Sequence, residues 1–136
     1  MLKQEWRYLS FLHWGIDKKY ILSYIPKGLE LDTYDNNTYI STIPFLMKDV
    51  RPRFLPSFSY ISTFTEFNIR TYVKYKNKSG VFFLTLDAQS KITCLFAPDA
   101  YGLPYRYDLG SLQTKSKTYL WNSKRVSDLA ELNRLL

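Results

Sequence analysis

Residues 63–73 read TFTEFNIRTYV, and a strand with alternating sides sorts them into two unlike faces. Thr65, Phe67, Ile69, Thr71 and Val73 make one face, apolar or threonine, as a core requires. Phe64, Glu66, Asn68, Arg70 and Tyr72 make the other, with a carboxylate, an amide and a guanidinium in succession between aromatics. That second face has three readings: solvent, a structural polar network, or the wall of a cavity. The flanking Phe64 and Tyr72 argue against plain exposure.

The same patterning places the other elements. The aromatic-rich stretch 5–14 reads as a strand, and Asp17 caps a short helix that Pro26 stops, with Ile21, Leu22 and Ile25 docking on the body. Residues 29–34 and 39–45 alternate on either side of Asp35-Asn36-Asn37-Thr38, which predicts a hairpin whose second strand ends or lies at an edge at Pro44. A proline-punctuated loop follows at 51–57, long enough to rim a cavity. Asn77-Lys78-Ser79-Gly80 turns the 63–75 strand into 81–86, a continuous apolar run read as a buried strand. Asp87 is placed to cap a helix over 88–96, ended by Pro98. A strand pair is expected at 109–113 and 117–121, and a capped helix over the last ten residues.

Composition narrows the class. The 136 residues make one domain, and 46% hydrophobic with 18% aromatic is globular and favours strands over helical bundles. The single cysteine, Cys94, excludes an internal disulfide and a thiol pair for zinc, and its apolar neighbours suggest a buried, inert thiol. The N-terminus lacks the apolar core of a signal peptide, and no 18-residue apolar run is present, so a cytoplasmic protein without membrane spans is expected.

The net charge of +7 falls in residues 51–136, where 13 Lys/Arg face six Asp/Glu; residues 1–50 balance at six each. Lys74, Lys76 and Lys78 share one parity near Tyr72 and Tyr75, but no zinc-finger, helix-turn-helix or RNP-type motif accompanies them. No nucleic-acid partner is expected, and no cofactor.

Several stretches together carry a resemblance. FLHWGID, PKGLELDTYDNNTYISTIPF, VRPR, FTEFNIRTYV, GVFFLTLDA and YGLPYR occur in the order and spacing of the uncharacterised bacterial YqjF-like proteins, a family that resembles acetoacetate decarboxylase in fold. The resemblance spans about residues 5 to 126 and rests on the combination of stretches. It implies a mainly β (α+β) domain over 1–126, an acetoacetate decarboxylase-like barrel around a central cavity with two or three short helices. Residues 127–136 are set apart as a divergent helical tail. Family members are implied to be longer, so this chain is expected to lack the C-terminal third, and closure of its barrel stays open.

The resemblance also bears on chemistry. The decarboxylase works through a Schiff-base lysine whose pKa an adjacent lysine lowers. Both lysines follow a Gly-x-Pro turn; here the turn is Gly102-Leu103-Pro104, followed by Tyr105 and Arg106, neither of which forms an imine. Schiff-base decarboxylation is therefore not expected. The resemblance matches Glu66 to the carboxylate that lines the decarboxylase pocket.

The candidate site thus comprises Glu66 and Arg70 as catalytic or anchoring groups, with Asn68, Tyr105, Arg106 and His13 as ligand contacts. Arg70 suits a ligand carboxylate, Glu66 a proton or hydroxyl, and Tyr105 with Arg106 a carboxylate or carbonyl oxygen. The alternative for Tyr105 and Arg106 is a turn at the rim. His13, the only histidine, lacks a Gly-x-Ser-x-Gly elbow or companion metal ligands, and a hydrogen-bonded packing role competes with ligand contact. Glu30 and Asp32 read as a solvated face. The expected function is binding of a small organic acid or carbonyl-type ligand in the cavity. The alternative is a non-catalytic or structural remnant of a family enzyme.

Overall fold

The computed structural model describes residues 2–52, 62–91, 93–95 and 102–126. The stretches 53–61 and 127–136, and with them the loop beyond Pro52 and the tail helix, lie outside the described residues, as do Ile92 and Phe96. In chain order the strands are β1 (Leu2–Arg7), β2 (Leu12–Ile16), β3 (Glu30–Leu31), β4 (Thr38–Pro52), β5 (Phe64–Tyr75), β6 (Lys78–Ala88), β7 (Tyr105–Tyr107), β8 (Ser111–Lys115) and β9 (Thr118–Asn122). Seven form one sheet in the order β1-β4-β5-β6-β7, with β2 also paired to β4 and β3 to β5, while β8 and β9 form a separate hairpin. The fold is mainly β. Among the described residues no sheet closes on itself, so the seven strands stand as an open sheet.

The centre is the β4-β5-β6 meander. Lys76 and Asn77 turn β5 into β6 with φ of 45° and 62°, the left-handed pair of a two-residue hairpin. The turn thus falls one residue earlier than the sequence suggests, and β6 begins at Lys78. Pairing passes from Ile69–Thr85 to Arg70–Phe83, leaving Leu84 as the extra residue of a bulge. The bulge shifts the parity of β6 at Leu84, so no single period of two runs through 81–86. Only from Thr85 onward is β6 buried.

Pro44 neither ends its strand nor lies at the sheet edge. On one flank of β4, β2 pairs with Thr38–Thr42 and β1 with Leu46–Pro52, so Pro44 falls in the gap between them. Its missing N–H costs no ladder bond there, and its carbonyl accepts the Ser10 N–H at 3.1 Å. The 29–45 hairpin is also corrected. Asp35 and Asn36 form a tight turn, but Glu30 and Leu31 pair with Lys74 and Val73 of β5 rather than with β4.

Helical expectations are reduced. Asp17 accepts the Lys19 N–H at 3.0 Å, but it caps a 3-10 turn (Lys18–Tyr20) that is followed by a second (Leu22–Tyr24). Ile21 is buried there whereas Leu22 is exposed. Asp87 is a strand residue whose carboxylate accepts from Thr85 and Arg125. Ser90 instead accepts the Thr93 N–H at 3.2 Å, beginning a helical turn closed by Cys94 N–H to Ser90 O.

Both faces of β5 are covered. On the Glu66 side, Ile43, Phe45, Met47, Phe64 and Ala88 form the core, with Val50, Cys94 and Tyr105 packed against it. On the other side lies the β8–β9 end of the molecule: Trp121 meets Phe67 edge-on at 5.7 Å and donates to Ser10 Oγ at 3.2 Å. No helix among the described residues is long and apolar enough to cross a membrane.

Candidate functional site

Strand register assembles one polar row on a single face. Glu66 lies between Phe45 of β4 and Ala88 of β6, Asn68 between Ile43 and Leu86, and Arg70 between Ser41 and Phe83. His13 extends the row, because β2 sets it beside Ser41.

Glu66 is 2% exposed among the largest apolar side chains of the fold. Desolvation raises its pKa to about 7, opposed by hydrogen bonds from Tyr105 and Asn68 that favour the charged form. The Tyr105 hydroxyl donates to Glu66 Oε2 at 3.3 Å. Burial, and then the neighbouring Glu66 carboxylate, push the Tyr105 phenol up in turn. Cys94 flanks this corner with Sγ 3.5 Å from Ala88 O, and burial raises its thiol to about 12, which keeps it an unreactive thiol near neutral pH.

Along the row, Asn68 is 6% exposed, and its Oδ1 has no hydrogen-bond partner among the described residues. The Nε of half-buried Arg70 is likewise buried without a partner, and its guanidinium lies 5.9 Å from the Tyr72 ring centroid. One atom lacks a donor and the other lacks an acceptor.

At the far end, His13 Nδ1 and Ser41 Oγ are 2.6 Å apart, and Ser41 Oγ and the Tyr72 hydroxyl 3.0 Å. Ser41 is fully buried within a strand, so it links the two rings and is not presented as a nucleophile. A pocket of about 500 Å³ opens here, lined by His13, Asp32, Thr33, Tyr34, Tyr39 and Tyr72. Another, of about 680 Å³, lies at Gly15–Lys18, Thr33 and Asn36–Thr38.

The six sequence-derived residues are therefore distributed as follows. Glu66, Asn68 and Tyr105 come together around one carboxyl, Arg70 continues their face, and His13 stands at its end beside Tyr72. Arg106 pairs in register with Asp87 on the opposite parity from Tyr105, and it is exposed. Neither pocket is lined by Glu66. Glu30 is exposed as the solvated reading has it, and Asp32 beside it holds the partly exposed Lys74 Nζ at 2.6 Å, a contact that lowers its pKa.

Sequence reasoning missed two groups. Ser41 carries no local signal and is found only through the β2–β4 register. Asp87 and Thr85 hold Arg125, whose Nη2 donates to Asp87 Oδ2 at 2.7 Å and to Thr85 Oγ1 at 2.9 Å, with Nε reaching both carboxylate oxygens at 3.2 Å. No group of three or more His, Cys, Asp or Glu among the described residues is arranged to hold a metal.

Comparison with known proteins places this geometry in a family. YqjF of Bacillus subtilis (strain 168), described as uncharacterized, is 36% identical over 128 residues. The match takes in 94% of this chain and 53% of YqjF, so the chain spans about half the length of that relative. Among solved structures, acetoacetate decarboxylase from Legionella pneumophila superposes with a TM-score of 0.71 at 16% identity, over 85% of this chain and 42% of that one. The enduracididine biosynthesis enzyme MppR, complexed with pyruvate, gives 0.60 at 10% identity over 86% and 44%. At these identities the likeness is one of fold. The model of the DUF2071 family, uncharacterized conserved proteins, matches residues 3–134, which runs past Arg125 into the tail. The chain belongs to the DUF2071 family and has an acetoacetate decarboxylase-like fold.

Proposed function

We propose that this domain binds a small hydroxy or keto acid along the Glu66–Asn68–Arg70 face, without Schiff-base chemistry. The observation that carries the reading is the pair of buried, unpartnered polar atoms on that face, Asn68 Oδ1 and Arg70 Nε. A buried polar group left unpaired costs about 1–3 kcal/mol, so a row with two of them is a poor structural network and a good template for a ligand. The template has a sense. Arg70 Nε needs an acceptor, which a carboxylate or carbonyl supplies, and Asn68 Oδ1 needs a donor, which a hydroxyl or an enol supplies.

Glu66 adds a proton-exchanging group. With a pKa near 7 it is populated in both forms at neutral pH, the condition under which a carboxyl gives or takes a proton most readily. Tyr105, one of the two residues in the lysine positions implied by the resemblance, donates to that carboxyl instead of forming an imine. The pyruvate held by MppR supports a keto acid as one member of the class.

The test is a thermal melt of the purified chain with millimolar pyruvate, lactate, acetate or a short fatty acid. Pyruvate or lactate should raise the melting temperature by several degrees and acetate by less, because acetate offers no second group to Asn68. An equal shift with all four, or none with any, would contradict the proposal.

A further inference from the structure

Tyr72 is shared between the polar row and the pocket of about 500 Å³ at its end. Its ring lies 5.9 Å from the Arg70 guanidinium, its hydroxyl is tied to Ser41, and it lines the pocket with Tyr34, Tyr39 and His13. Whatever Arg70 holds is therefore one ring away from a chamber whose walls are largely aromatic. The volume falls within the range of small-molecule sites, roughly 300–1,000 Å³.

The pocket's charges decide what enters. Its single carboxylate, Asp32, is occupied by Lys74 at 2.6 Å, and the Arg70 guanidinium lies against the Tyr72 ring, so no free negative charge favours a cation. Thr33, three tyrosine rings and an imidazole remain. Rings of this kind hold a flat aromatic group by offset or edge contact better than they hold a branched aliphatic one. The Ser41 hydroxyl fixes Tyr72 and His13 relative to each other, so these two walls are set before a ligand arrives.

Building on the reading above, we infer that the acid bound by Arg70 carries a planar aromatic side chain, and that the His13–Tyr34–Tyr39–Tyr72 pocket receives it. The ligand class is then an aryl-substituted 2-oxo or 2-hydroxy acid. The one-carbon side chain of pyruvate or lactate leaves this chamber unused.

The experiment compares affinities within matched pairs on the full chain: phenylpyruvate against pyruvate, and phenyllactate against lactate. The aryl acids should bind about tenfold more tightly, the scale expected for burying a phenyl group in an apolar pocket. Tyr34 is 77% exposed at the rim, so Tyr34→Ala leaves the fold intact, and it should narrow the aryl-to-methyl ratio severalfold. Tyr24→Ala, at an exposed tyrosine outside the pocket, should leave the ratio unchanged. Methyl acids that bind as well as or better than aryl acids overturn the inference and leave the acid-binding reading standing. A ratio that survives the double substitution Tyr34→Ala with Tyr39→Ala overturns it too. Absence of binding by all four acids overturns both.

Discussion

At the residue scale the decisive side chain is Glu66. Its grouping with Asn68 and Arg70 was legible in TFTEFNIRTYV, because a period of two separates it from Thr65 and Phe67, but the core lies on its own face and not on the Thr65–Phe67 face that looked apolar. Its burial was not legible, since that depends on Phe45, Leu86 and Ala88 arriving from other strands. The raised pKa carries a sign that can be measured. Between the ordinary carboxyl range and pH 7 the folded chain binds a proton at Glu66 that the unfolded chain has released. The contribution of Glu66 to stability therefore falls as pH rises through that window, by about 3 kcal/mol in all. Glu66→Gln mimics the protonated form. The variant should melt close to wild type at pH 5 and several degrees above it at pH 8, read from paired thermal scans across that range. A difference that stays constant with pH would show that Glu66 titrates as an ordinary carboxyl.

Arg106 illustrates the opposite case at this scale. Its neighbour Tyr105 turns toward Glu66, and a strand sends the next side chain to the other face, so the two could not share a site once 105–107 became β7. The sequence showed a Gly-x-Pro turn there and left the strand after it invisible, because three residues are too few to show a period.

At the element scale, β5 and its hairpin to β6 were readable from alternation and turn chemistry, as was the β8–β9 pair. What could not be read was partnership. β3 looked like one arm of a hairpin with β4, yet it pairs with β5, and β4 continues through Pro44 because the gap between β2 and β1 relieves the proline of donating. Such outcomes follow from long-range register, which no local window contains. The same holds for Arg125, which fastens the segment after β9 to β6 through Asp87 and Thr85.

Removing Arg125 leaves Asp87, only 5% exposed, without its counter-charge. Because the arginine itself is partly exposed, Arg125→Ala should cost about 2 kcal/mol rather than the larger figure for a fully buried pair. Adding Asp87→Asn should recover part of that loss, since the unpaired charge goes with it. Denaturant unfolding of the two single variants and the double variant gives the coupling directly. Additive losses would show that the contact carries no weight.

Gly110 makes a second test of how the far face is closed. A Cβ there would lie 2.2 Å from Thr65 Oγ1 and 2.9 Å from Phe67 Cε2, so Gly110→Ala must displace these side chains or the segment leading into β8. A loss of roughly 1–3 kcal/mol is expected, measured in the same way.

At the scale of the whole molecule, one sheet carries the core on one face and the Trp121 packing on the other. The expectation of a mainly β fold like that of acetoacetate decarboxylase is met, and the described strands form an open sheet where a barrel was anticipated. Because one sheet carries the core and Trp121 of the β8–β9 hairpin packs on its other face, the chain should unfold in one cooperative transition; a sloping melt would favour the structural-remnant alternative. The polar row crosses β2, β4, β5 and β7, so it exists only when that sheet is assembled, and a ligand held by it would stabilise the fold.

The most direct measurement is calorimetric titration of lactate and pyruvate into the wild-type chain and into Arg70→Gln. Saturable binding to wild type, weakened at least about tenfold by Arg70→Gln, is the predicted result, since the substitution removes a charged partner of the carboxylate. Equal affinity in the two proteins, or no heat of binding in either, would mean that the Glu66–Asn68–Arg70 face is not the site of an acid.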